Sequence, residues 1–153
     1  MNLILIPIVL PLVSALALLF MREKTKYLKE LIAAGAALVS LLAAANIFMQ
    51  PQLELSWAWL GAGITFTLKA DNLSAFLLLA VSLFSAAISV YSFSLPNKGA
   101  SKWFFFNLLM TQAFAAGAAL ADNLVAMLFF WEGMLVFLYT LIALSQESKA
   151  AKR

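Results

Sequence analysis

Five runs of apolar residues, each long enough to cross a bilayer, dominate this chain. A span takes about 20 such residues at a rise of about 1.5 Å each. The runs cover residues 3–21, 31–49, 72–95, 103–121 and 124–145. Hydrocarbon offers no partner for backbone N–H and C=O groups, so each run must satisfy its own as a helix. The remaining residues cannot supply the polar shell of a soluble domain. Only 11% of the 153 residues are charged, and 65% are hydrophobic. The mean hydropathy is +0.98. The expected fold class is an all-α integral membrane protein, a single membrane domain over residues 1–153.

What is missing narrows the chemistry. Cys and His are both absent. That excludes disulfides, haem held by His, iron–sulfur clusters and the usual zinc sites within this chain. There is no Gly-rich phosphate loop and no Ser–His or Cys–His pair. No cofactor is expected in this chain. Its surroundings are the lipid bilayer and other membrane chains, not nucleic acid.

The first run precedes its positive charges, in MREKTKYLKE, which is the reverse of a cleavable signal peptide. It is expected to stay in the membrane. Pro7 and Pro11 should loosen its early turns. Gly35, in the Ala-rich second run, should let a neighbouring helix approach closely.

Basic residues in short loops mark the cytoplasmic side. The first loop holds Arg22, Lys24, Lys26 and Lys29; the third holds Lys98 and Lys102; the tail holds Lys149, Lys152 and Arg153. With five spans these nine share one face, and the other face receives only Lys69. The N-terminus is therefore expected outside and the C-terminus in the cytoplasm, in the cell membrane.

The longest connection, 50–71, falls on the outer face. Alternation in LELSWAW and ITFTLK, around Gly61-Ala62-Gly63, predicts a short β-hairpin at about 53–69. Trp57, Trp59 and Trp103 suit the membrane interfaces. ADNL occurs twice, from Ala70 and from Ala121, each time opening a run that enters from outside. Asp71 and Asp122 are expected to cap those helices.

One residue stands against this background. Glu132 lies within MLFFWEGMLV, eight residues into the fifth run and so about 12 Å below its outer end. A charge at such depth costs about 2.5–3.5 kcal/mol. The group needs a polar niche inside a bundle, or a proton to neutralise it. A carboxylate able to pass between those conditions carries ions. Tyr139, seven residues on, falls on nearly the same face. Gly133 leaves room beside Glu132 for a helix or for water. On the fourth run Asn107 and Thr111 share a face and are expected to form a polar patch towards the inner half of the fifth; Gln112 is also polar. No Lys or Arg lies inside any of the five runs as bounded here.

LFFWEGMLVFLYTLIAL resembles the fifth transmembrane helix of the antiporter-like subunits of respiratory complex I, of membrane-bound hydrogenases and of multisubunit Na+/H+ antiporters. That family carries F-x-x-E-x-M-x-x-x-x-Y-x-L-I, and here Phe129, Glu132, Met134, Tyr139 and Ile142 fall near those places. ITFTLKADNLSAFLLL is similar to the family's approach to its third helix, with Asp71, Leu73 and Ser74 in place and Asn72 where the family has Gly. The resemblance covers almost the whole chain but only the first five helices of a longer fold. It implies proton translocation, with Glu132 as the carboxylate that pairs with a membrane lysine. Those lysines lie on later helices of the family, so a second chain supplying the missing helices and lysines is an implied partner, within a multi-subunit redox complex. The basic tail QESKAAKR favours a small subunit.

Two rival readings remain: a scaffold or assembly subunit in which Glu132 is a neutral interhelical contact, and an independent small cation transporter. The charge bias predicts that a phosphatase fused behind Arg153 is inactive, being cytoplasmic. An active fusion would reverse the orientation.

Overall fold

The structure, a computed structural model, describes residues 3–21, 26–50, 52–58, 65–93 and 102–150. A 3-10 turn at Leu3–Leu5 leads into α1, Ile6–Phe20. Next come α2 (Lys26–Met49), β1 (Leu53–Ala58), β2 (Thr65–Ala70), α3 (Asn72–Phe93), α4 (Lys102–Leu120) and α5 (Leu124–Ala150). All five helices contain a stretch long and apolar enough to span a membrane. The chain is a multi-pass membrane protein. Pro7 falls in the first turn of α1, where a missing N–H is no loss, and Pro11 lies inside it.

The helix bounds depart from the apolar runs in one informative place. α2 begins at Lys26, five residues before the run that starts at Leu31. Its first turns carry Lys29 and Glu30, both buried. The spanning stretch Leu28–Met49 thus includes a lysine, and Lys102 opens the span of α4, which corrects the expectation that no span holds a basic residue. Both sit at span ends. The half-buried stem of Lys102 can pack along its helix, whereas Lys29 is only 5% exposed.

Helices α1, α2, α3 and α4 close into a ring, in which α1 packs on α2, α2 on α3, α3 on α4 and α4 on α1. α5 packs mainly against α4, outside that ring. Two apolar clusters fill the interior. One lies at the hairpin end, around Ile8, Ile47, Phe66, Leu78 and Leu120. The other lies towards the opposite end, around Leu18, Ala33, Phe105 and Leu109. Alanines recur in both and let the helix backbones approach. Gly35 does not serve this purpose. A Cβ there would meet nothing within 4 Å, because Gly35 faces outwards. Small residues on the ring-facing side of α2, Ala33, Ala37 and Ala44, do the packing instead.

β1 and β2 pair antiparallel from Leu53 opposite Ala70 to Ala58 opposite Thr65. This is the hairpin expected from the alternation. Its Gly61-Ala62-Gly63 turn and Trp59 lie outside the described residues, as does the side chain of Trp57. Trp103 is exposed at the start of α4, with Lys102 Nζ 5.7 Å from its ring centroid. The free edge of β2 is covered by the turn between α4 and α5. Leu68 bridges to Ala121, and the N–H of Asp122 donates to Thr67 O at 3.0 Å. An edge strand left bare at a membrane surface would offer unpaired backbone groups to other chains.

The two ADNL strings cap their helices differently. In the first, Asp71 Oδ1 accepts the N–H of Ser74 at 2.7 Å, as an N-cap bonding the third residue of α3. That hydrogen bond holds the exposed carboxyl of Asp71 below its ordinary pKa, helped by nearby Lys69. In the second, the cap is Asn123, not Asp122. Asn123 Oδ1 accepts the N–H of Ala126 at 2.8 Å, while its Nδ2 donates to Thr65 O at 2.8 Å. The carboxamide can do both, and a carboxylate cannot donate. Replacing Asn123 by Ala should cost about 1 kcal/mol, the usual loss for an N-cap. Amide exchange should then rise at both Ala126 and β2. Asn123→Asp should restore protection at Ala126 alone.

Candidate functional site

The placement of Glu132 follows from how α5 meets α4. Two glycines and two phenylalanines interlock. The ring of Phe130 on α5 lies where a Cβ on Gly117 of α4 would go, and the ring of Phe114 on α4 lies where a Cβ on Gly133 would go. Phe114 sits among three rings of α5: Phe129 at 6.2 Å, Phe130 at 6.0 Å and Phe137 at 5.4 Å between centroids. Phe130 also meets Phe66 of β2 edge-on at 5.6 Å. These edge-to-face and tilted contacts suit the ring quadrupoles. Gly133 therefore gives room for a ring, not for water.

This lock turns the face carrying Gly133 and Phe130 to α4. Glu132, about 100° further round the helix, points away from it. The side chain is exposed and has no hydrogen-bond or ion-pair partner among the described residues. Tyr139 shares this face and is 73% exposed. Only 11% of the spanning stretch of α5 is buried, against 33–56% in the other four helices. Glu132 thus stands at depth on the helix whose surface these five helices cover least.

Asn107 and Thr111 lie elsewhere. Asn107 is buried and does reach α5, where its Oδ1 accepts a hydrogen bond from Thr140 Oγ1. Its Nδ2 donates to Trp103 O at 2.7 Å. Thr111 turns back on its own helix, donating to Asn107 O at 2.8 Å. The pair Asn107–Thr140 floors a groove of about 340 Å³ walled by Trp103, Phe106, Val136 and Phe137. Thr140 is eight residues from Glu132, about 12 Å along the axis. The structure brings together Asn107, Thr111 and Thr140, and separately Glu132 and Tyr139. It does not join the two sets.

Sequence reasoning missed Thr140, a third polar residue at the foot of α5. It also gave Gln112 no partner. Gln112 Oε1 accepts a hydrogen bond from Ser85 Oγ of α3 at 2.6 Å. A run of serines on α3 at spacings of three and four was the available signal. No group of three or more His, Cys, Asp or Glu residues that could hold a metal occurs among the described residues.

No family model matches the chain. Comparison with curated proteins does find relatives. It is 27% identical over 147 residues to a Na(+)/H(+) antiporter subunit of Bacillus subtilis (strain 168), covering 94% of this chain and 30% of that protein. It is 28% identical over 164 residues to NADH-quinone oxidoreductase subunit L of Rickettsia conorii, covering 99% of this chain and 25% of the relative. The protein of the same name from Escherichia coli (strain K12) is 29% identical over 155 residues, covering 93% and 25%. Its homologues are antiporter-like membrane subunits. The chain spans between 25 and 30% of the length of these relatives.

The interlock fixes the direction in which Glu132 points, and it can be broken separately. Gly133→Leu should force Phe114 out of its place and destabilise the α4–α5 contact by about 1–3 kcal/mol, as overpacking does. Thermal unfolding in detergent should show the loss. Gly35→Leu, into open space, should leave the midpoint nearly unchanged.

Proposed function

We propose that the chain is a membrane subunit of a multi-subunit ion pump, of the complex I, membrane-bound hydrogenase or Na+/H+ antiporter kind, and that it contributes Glu132 to H+ or Na+ translocation. The observation that carries this reading is the position of Glu132: a carboxylate about 12 Å down α5, on a face that none of the described helices covers. Left against lipid, such a group costs about 2.5–3.5 kcal/mol. Covered by further helices that bring a basic or hydrated partner, it becomes a group that can accept and release an ion. The similarity to an antiporter subunit and to two NADH-quinone oxidoreductase subunits supports that company of helices. In this reading the covering helices and the lysine that answers Glu132 come from polypeptide beyond these 153 residues. The chain sits in the cell membrane with its hairpin outside. Tyr139, on the same face, meets the same covering helices. Any redox chemistry belongs to other subunits.

A scaffold reading draws on one observation, the closed ring of α1 to α4, which packs without calling on Glu132. The two readings part on a single substitution in the assembled complex. With Glu132→Gln, pumping should fall by about 10²-fold, the lower end of what a positioned proton carrier contributes. Electron transfer to artificial acceptors should persist. Normal pumping in an intact complex would overturn the translocation reading in favour of the scaffold.

A further inference from the structure

The interior of the four-helix ring is not uniformly apolar. The buried stripe of α3 begins with Ala75 and Leu78, in the cluster at the hairpin end. Beyond them it continues as Ser82, Ser85, Ser89 and Ser92, all buried. The second apolar cluster contains no residue of α3. From its middle onwards the buried positions of α3 are these serines and Ala86; Ser85 bonds Gln112 of α4, and Ser92 donates back to Ser89 O at 2.6 Å.

Three atoms in this seam are without a hydrogen-bond partner among the described residues: Ser82 Oγ, Ser89 Oγ and Gln112 Nε2. Ser82 and Ser89 are fully buried and Gln112 is 3% exposed. Serine in a membrane helix usually bonds the carbonyl four residues back. Ser40 of α2 does so, donating to Ala36 O at 2.8 Å. Ser82 and Ser89 do not. The Gln112 carboxamide is held at the seam by Ser85, so its free N–H groups face the same space. Donors and acceptors left in this state are what internal water satisfies, given two to four polar partners.

The spacing fits. Positions three and four apart on a helix rise by about 4.5 and 6 Å. Two hydrogen bonds through one water span about 5.6 Å. The seam also has a direction. Ser92 is 20 residues from the start of α3 at Asn72, and the buried Lys29 and Glu30 are 20 and 19 residues from the end of α2 at Met49. As α2 and α3 are packed neighbours joined through the hairpin, these residues lie at similar depth. The seam runs from mid-helix to the charged end of the ring. It is separate from Glu132. Gln112 and Phe114 are two residues apart on α4, about 200° of turn, so the seam and α5 occupy opposite sides of that helix.

We propose that this seam binds a file of internal water molecules between α3 and its neighbours α2 and α4, open at the Lys29–Glu30 end and closed at Leu78. The four-helix ring thus holds a hydrated half-path of its own, independent of the role given to Glu132.

The chain contains no cysteine, which makes the test direct. Single substitutions Ser82→Cys, Ser89→Cys and Ser92→Cys are placed in the assembled complex in membranes and treated with silver ion. Modification of this chain is followed by mass spectrometry. Ala75→Cys and Ala44→Cys, buried in the apolar cluster, serve as controls. A thiol in water ionises and reacts, and a thiol in a dry core does not. The seam variants should react at least about tenfold faster than the controls, a difference of one pKa unit in thiolate fraction, with Ser92→Cys fastest and Ser82→Cys slowest. Equal rates for seam and control positions would overturn the proposal. Should a variant fail to assemble, an experimental density map of the unsubstituted complex decides. Water peaks within hydrogen-bond distance of Ser82 Oγ, Ser89 Oγ and Gln112 Nε2 are expected. A map in which those three atoms pair with protein groups would overturn the proposal.

Discussion

The reciprocal seating of Phe130 against Gly117 and of Phe114 against Gly133 is what gives the molecule its asymmetry. Two rings and two missing side chains bring α4 and α5 together along one narrow strip. Packing of this kind does not depend on a hydrophobic drive, which lipid cannot supply, but on backbones close enough for dispersion contacts. Once that strip is committed, the rest of α5 is turned outwards. Glu132 and Tyr139 go with it. The position of the carboxylate follows from these four apolar residues, with the Asn107–Thr140 hydrogen bond joining the same two helices further along.

Much of this was legible in the sequence because it rests on period and hydropathy. Five spans follow from the length of the apolar runs. The hairpin follows from alternation on either side of a Gly-rich turn, and the observed pairing from Leu53 to Ala70 agrees with it. Other features were not legible, for a common reason. They depend on which residue far along the chain arrives opposite. Gly35 and Gly133 look alike in sequence, yet one faces open space and the other receives a ring. ADNL reads the same at both sites, yet the second helix starts one residue later in the string. There Asn123 is recruited by Thr65, 58 residues away, and takes the cap from Asp122. Asn107 does face α5, but its partner Thr140 lay unnoticed because a lone threonine inside an apolar helix carries no signal of its own.

Three groups of polar residues are held apart by helix geometry: the outward face of α5, the Asn107–Thr140 groove, and the serine seam of α3. Their separation matters more than their number. A group on the outside of α5 answers to whatever covers it. One inside the ring answers only to the ring, and stays the same whether or not α5 is covered. The two can thus be altered by substitution without touching each other, since additivity holds for sites without shared contacts.

Asn123 joins two bodies with a single side chain. One end of its carboxamide holds the backbone of β2, and the other holds the first turn of α5. The hairpin and the helix start are thereby yoked, with the edge-on contact of Phe66 and Phe130 as a second strut one turn below. The small sheet and the helix that bears the acid are thus fastened to each other at two levels.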